Sequence, residues 1–254
     1  MKSNLLIHIP HSSTKLPYFF WKNTILYKKR IQKENIFISD YLVHKFIPKK
    51  NYKVLTFRYS RLFCDVERFK DNNKEKMSNY GMGAIYTHDS NKNNFIKYNS
   101  NYRNYVLKNY YDKHHNRLNN MVTNILNYHK YCYIIDLHSF SNLLAKKLFN
   151  YDNCPDICIG TEDGFSDENL VNFTINYFTN NGYTVKLNYP YQGSIIPNKY
   201  LKQNNCRIKT MMIEINKRIY LKNDSKLDIK KYRKLKNCML NYYNILNTQI
   251  QNKD

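Results

Sequence analysis

The hydrophobic pattern of this chain alternates short apolar runs with longer stripes of helical period. Residues 4–9 (Asn-Leu-Leu-Ile-His-Ile) read as a buried strand that Pro10 ends. Ile36, Ile38, Tyr41, Leu42, Val43 and Phe46 predict a short helix over about 36–46, ending before Pro48 and carrying Asp40. Residues 52–57 predict a second strand, and Ala84-Ile85-Tyr86-Thr87 a short one after Gly81-Met82-Gly83. The stripe Leu107, Tyr110, Tyr111, Leu118, Met121, Val122 and Ile125 predicts a long helix over 100–128. A central strand follows at Tyr133–Ser139, then strands at 156–160 and 183–188, with a last one at 210–216. Between them a helix opens at Ser166 as N-cap, with acids in its first turn and Gly182 as the stop. A closing helix over about 228–250 carries Ile229, Tyr232, Leu235, Met239, Tyr243, Leu246 and Ile250 on one core-facing stripe. Strands alternating with helices predict the α/β class.

The chain of 254 residues has room for one large domain. It has no internal repeat and no linker rich in Pro, Gly or Ser, so residues 1–254 read as a single domain. No stretch approaches the ~20 apolar residues that span a bilayer. His8 and Pro10 interrupt the first apolar run, which predicts neither a secretory signal nor a transit peptide. The six cysteines form no CxxC pair, and buried free thiols in a reducing, cytoplasmic setting fit them better than a disulfide framework. The net charge of +22 favours anionic partners. Because the Lys residues are scattered among Asn, Ile and Tyr without a nucleic-acid motif, a small anionic substrate is favoured over RNA or DNA.

Chemistry-bearing residues gather where apolar runs end. Asp136 and His138 close the central strand, His8 and His11 stand at the end of the first, and Glu214 lies among Met212, Ile213 and Ile215. Asp65, Glu67, Arg68 and Arg61 cluster after the second. Ligands of α/β sheets collect beyond strand ends. Two imidazoles and a carboxylate leave an open position on a catalytic zinc ion, whose bound water has a pKa lowered towards neutrality. His11, His138 and one of Asp40 or Asp65 suit that set, with Glu214 as general base. Strand-end histidines and acids also serve as ordinary hydrogen-bonding groups. His8 is expected to point into the core as one of these. Arg61 stands where a guanidinium fork could grip a substrate carboxylate, or where it closes a salt-bridged strand end. The adjacent His114 and His115 face about 100° apart on their helix, so at most one reaches a site.

The order of these blocks resembles the N-formylglutamate amidohydrolase family. The resemblance runs through Pro10-His11-Ser12, Ser60-Arg61-Leu62 with Asp65 and Glu67-Arg68-Phe69, Gly81-x-Gly83, and Tyr110-Tyr111 with His115. It continues through Asp136-x-His138-Ser139, Pro155–Gly160, Asn188-x-Pro190-Tyr191-x-Gly193-Ser194 and Ile213-Glu214-Ile215-Asn216. It implies a zinc-dependent exopeptidase-like fold, with a mixed, largely parallel central sheet flanked by helices. It also implies metal-dependent hydrolysis of an N-formylated acidic amino acid such as N-formylglutamate, with one Zn2+ per chain. The alternatives are a peptidase or amidase of the same fold on a longer acyl or peptidyl substrate, and a non-catalytic homologue that binds anions or nucleic acid. The implied metal ligands are His11, Asp40 and His138, with Asp65 as the alternative to Asp40, and Glu214 is the implied catalytic carboxylate. Arg61, Asp65, Arg103, His115, Ser139, Asn188, Tyr191 and Gly193 would line the substrate pocket. The chain departs from the family pattern at Ser13, where Gly is usual, and at Lys217, where Arg is frequent.

Overall fold

A computed structural model describes residues 3–48, 52–201, 203 and 205–251. In chain order the strands are β1 (Leu5–Ile9), β2 (Lys53–Thr56), β3 (Cys132–Phe140), β4 (Ile157–Gly160), β5 (Val185–Leu187), β6 (Ile208–Asn216), β7 (Leu221–Lys222) and β8 (Lys226–Leu227). The helices are α1 (Tyr18–Asn23), α2 (Lys28–Ile38), α3 (Ser100–Val106), α4 (Asp112–Leu126), α5 (Asn142–Phe149), α6 (Glu168–Asn180), α7 (Asn198–Leu201) and α8 (Ile229–Gln251). The chain divides into two compact units, one of residues 1–9, 42–55 and 118–254, the other of residues 10–41 and 56–117.

The first unit is built on a six-stranded sheet of order β2-β1-β3-β6-β4-β5. β1, β3 and β6 run parallel, β4 is antiparallel to β6, and β5 is parallel to β4. The sheet is therefore mixed and mostly parallel, flanked by helices. All nine residues of β3 are buried. A strand covered on both faces has no polar side, which is why β3 reads as an apolar run rather than an alternation. On one face Leu6, Cys132, Ile134 and Ile208 pack with Leu118, Val122 and Ile125 of α4. On the other Met211 meets Thr174 of α6, whose hydroxyl also bonds Tyr242 of α8 at 2.9 Å. Leu235, Cys238, Met239, Tyr242, Tyr243, Leu246 and Ile250 form the buried stripe of α8. At about 1.5–3 kcal/mol for each fully buried large apolar side chain, this stripe holds the helix in place.

The second unit is aromatic at its centre. Phe20 meets Phe63 and Phe95 with ring centroids 6.5 and 6.0 Å apart, and Phe63 meets Tyr110 edge-on at 4.8 Å. Between α3 and α4 lies one π-helical turn, Leu107–Tyr111, a local widening often found near functional sites.

Several elements differ from the sequence reading. The helix expected over 36–46 lies earlier, as α2, followed by a 3-10 turn at Val43–Phe46. The inward positions of α2 are Ile31, Glu34, Asn35 and Ile38, and the two polar ones hide the stripe. Glu34 accepts from Ser90 N and Oγ, and Asn35 donates to the Thr14 carbonyl. Leu42 then takes a left-handed φ of 67°, which no helix tolerates. Asp40 consequently sits in a turn, not on a helix. Asp167 rather than Ser166 caps α6, accepting from Leu170 N at 3.1 Å, while Ser166 bonds Glu162 N and Thr210 O. Residues 84–87 form no strand but a turn closed by the Met82–Tyr86 bridge. β6 is not the last strand, because the β7–β8 hairpin follows it. All six cysteines are free thiols, five of them buried. No helix among the described residues is long and apolar enough to cross a membrane.

Candidate active site

Each unit carries one buried cluster of chemistry-bearing side chains. In the first unit, strand pairing brings the cluster together. Residues two apart on a strand share a face, and residues paired across strands do as well. Asp136 and His138 of β3 therefore face the same way, with His8 of β1 beside Asp136 and Glu214 of β6 beside His138. Cys158 of β4 pairs with Glu214 from the far side.

Asp136, 2 % exposed, is the hub of this face. Its Oδ1 lies 2.8 Å from His8 Nδ1 and 3.1 Å from His138 Nε2, and its Oδ2 accepts from Ile195 N at 3.0 Å. Burial pushes the carboxyl pKa up, but the His138 and His8 imidazoles overcome this and hold it well below the usual range. Asp136 is thus a carboxylate at neutral pH. His8 is a buried, hydrogen-bonded imidazole, as expected. Glu214 is half-buried at the end of the row. Burial pushes the Cys158 thiol up to about 12, so it stays protonated and donates to the Tyr191 carbonyl at 3.2 Å.

The second unit places His11 among three carboxylates. Its Nε2 lies 2.8 Å from Asp65 Oδ1, and its Nδ1 lies 3.5 Å from Glu67 Oε2 and 3.8 Å from Asp40 Oδ2. A backbone bond from Asp40 N to His11 O, 2.9 Å, fixes the Asp40 turn against the His11 loop. Asp65 is fully buried. Its Oδ2 accepts from Arg61 Nε and Nη2 at 3.0 and 2.8 Å and from Tyr86 Oη at 3.1 Å, and its Oδ1 accepts from Glu67 N. Burial raises the Asp65 pKa, yet the Arg61 charge and His11 bring it well below the usual range. Both Arg61 donors meet one oxygen, so its fork is spent on Asp65. Tyr111 Oη bonds the Arg68 carbonyl at 2.9 Å and His115 Nε2 the Val66 carbonyl at 2.7 Å. The π turn and the first turn of α4 thereby clamp the chain on both sides of Glu67. His114 instead packs edge-on against Phe57, so the two adjacent histidines do diverge.

Other expected site residues have structural contacts. Arg103 donates to the Lys70 carbonyl and to Asn72 Oδ1, tying down the 70–72 loop. Ser139 lies on the sheet face opposite His138, where it accepts from Tyr220 Oη at 3.0 Å. Asn188, at φ 52°, exchanges two bonds of 2.8 Å with Thr161. Tyr191 meets Phe140 edge-on at 5.6 Å. Gly193 has φ 90°, and its carbonyl would lie 2.4 Å from any Cβ on Gly160, so both positions need glycine. These three residues hold the 188–194 loop against β4. Ser13 is not among the residues of positive φ, and its hydroxyl donates to the Arg58 carbonyl, so serine replaces the usual glycine without strain.

Sequence reasoning assigned no role to Asp136 or Glu67. The i, i+2 spacing of Asp136 and His138 in a strand was the signal for the first. Glu67 had none beyond its neighbours, because its place depends on contacts from residues 111 and 115. The donors in both clusters are imidazole and carboxylate, the types that hold catalytic zinc. The pairing of His11 with Asp65 also has the form by which a carboxylate orients a metal-binding imidazole. The residues fit such an ion.

A model of the N-formylglutamate amidohydrolase family matches residues 3–221. No curated protein sequence matches the chain. Among solved structures, an N-formylglutamate amidohydrolase from Ralstonia eutropha JMP134 is 19 % identical, with TM-score 0.78 over 97 % of this chain and 95 % of that one. A gene product from Agrobacterium tumefaciens is 16 % identical, with TM-score 0.69 over 99 % of this chain and 92 % of that one. At these identities the two structures establish the likeness of fold.

Proposed function

We propose that this chain, which belongs to the N-formylglutamate amidohydrolase family, hydrolyses the amide bond of an N-formylated acidic amino acid, releasing formate and the amino acid. The observation that carries the reading is the pairing of His138 with Glu214 on neighbouring strands, one face of the sheet presenting both. Glu214 takes a proton from the attacking water and delivers it to the amine as the C–N bond breaks. A half-buried carboxylate at a strand end suits this shuttle.

We assign zinc as the cofactor, with His11 and His138 as imidazole ligands and Asp40 as the carboxylate ligand. Glu67 is the alternative to Asp40, being nearer to His11 Nδ1. When bound, zinc supplies a water of lowered pKa and polarises the amide carbonyl. Asp65 orients His11, and Asp136 fixes His8 and holds the charge beside His138. Arg61, neutralised by Asp65, contributes field rather than a direct fork. Asn188, Tyr191 and Gly193 shape the pocket through the loop they fix. We read residues 1–254 as one functional domain with α8 as its packing helix, since the family match takes in parts of both units.

Elemental analysis of gently purified protein tests the metal assignment. We expect about one zinc per chain, as in catalytic sites with a single ion, and its loss in His138→Ala. Protein that takes up no zinc even on incubation with it, in either form, would overturn the zinc assignment.

A further inference from the structure

The first unit also carries an open surface cleft, of about 320 Å³, lined by Asp156, Gly182, Tyr183, Arg218, Ile219, Lys231 and Lys234. None of these residues has a part in the proposed hydrolysis. Three are cations and one is an acid, and the acid is already engaged. Asp156 Oδ1 accepts from Arg218 Nε and Nη2 at 3.2 and 2.9 Å, while its Oδ2 accepts from Thr184 N and Oγ1 at 3.0 Å each. Arg218 is thus both neutralised and held rigid from one side. Lys231 and Lys234 have no carboxylate partner among the described residues. Lys231 is nevertheless placed, because its Nζ donates to the Arg218 carbonyl at 3.2 Å, and Lys234 lies 5.5 Å from the centre of the Tyr183 ring.

Two uncompensated ammonium groups beside an anchored guanidinium match a dianion. A phosphate monoester carries about −1.5 to −2 charges near neutral pH. The cleft exceeds what an inorganic ion needs and falls at the lower end of small-molecule sites, which run from about 300 Å³. Tyr183 and Ile219 supply an apolar wall for an organic body. We propose that this cleft binds a small organic phosphate, of nucleoside monophosphate size, with its phosphate on Lys231, Lys234 and the edge of Arg218 turned from Asp156. It is a ligand site additional to the hydrolytic one and independent of that activity.

Calorimetric titration of the full chain with adenosine monophosphate, inorganic phosphate and adenosine tests it. The comparison is with Lys231→Ala/Lys234→Ala and with Lys29→Ala/Lys33→Ala, a control that removes two exposed lysines from α2. Adenosine monophosphate is expected to bind, more tightly than phosphate and far more tightly than adenosine. Affinity should fall at least about tenfold in the Lys231/Lys234 variant, the factor that corresponds to about 1.4 kcal/mol, and stay unchanged in the control. Equal loss in both variants would reduce the binding to general attraction by a basic surface. That result, adenosine binding as tightly as adenosine monophosphate, or no binding at low salt would each overturn the proposal.

Discussion

Replacing Glu214 with glutamine should lower kcat for a formyl amide by about 10²–10⁴-fold, the range that general acid–base catalysis supplies. The substitution keeps the shape of the side chain and removes its proton chemistry. KM should change little, since the carboxylate acts on the water and the leaving amine rather than on substrate binding. Stability should stay within about 1 kcal/mol, because Glu214 is half-buried and the isosteric amide keeps its volume. The neighbouring thiol cannot stand in as the base. Cys158, the neighbour of Glu214 across the antiparallel pair, keeps its proton because burial pushes its thiol up to about 12. Steady-state kinetics beside thermal melts checks this. A kcat within a few-fold of the parent would remove Glu214 from the chemistry.

Asp65→Asn should be the most destabilising single change in the second unit, at about 3–5 kcal/mol near neutral pH, the cost of removing one partner from a buried ion pair. The amide keeps the shape of the side chain but cannot balance Arg61, whose guanidinium is directed at that one carboxylate. Arg68 Nε, 3.7 Å away, and His11 lose the same counter-charge. The pH dependence follows from the sign of the shift. The folded pKa of Asp65 is held well below its ordinary value of 3.8. Its stabilisation is therefore fully present above about pH 4 and drains away as the pH falls through the folded value. Urea unfolding should show a constant gap between parent and variant over about pH 6–8, narrowing below about pH 4. A gap under about 1 kcal/mol, or one that widens in acid, would show that Asp65 is not the electrostatic centre of its cluster.

Much of this architecture was legible because its core elements obey one period at a time. β3 and β6 are largely buried strands, and the α8 stripe repeats every three to four residues from Leu235 to Ile250, while Ile229, expected on it, is 59 % exposed at the start of the helix. Legibility failed where polar side chains do core work. α2 buries Glu34 and Asn35 on bonds to Ser90 and Thr14, partners 56 and 21 residues away, so hydrophobicity could not mark its inner face. The same holds for the site. The strand period by itself puts Asp136 and His138 on one face, and the blocks around His11 and Glu214 are legible in the sequence as well. Glu67 is positioned by Tyr111 and His115, and Arg103 turns its charge on a loop carbonyl. Both outcomes come from packing between distant segments, which no local pattern encodes.

The central claim is hydrolysis of a formyl amide, and the direct measurement is the product balance. The full chain, supplied with zinc, is incubated with N-formylglutamate, and formate and glutamate are followed together by proton NMR. Equal amounts of the two products, rising together with the parent protein and reduced to background with Glu214→Gln, are the predicted result. Intact N-formylglutamate after prolonged incubation, with zinc bound to the protein, would contradict it.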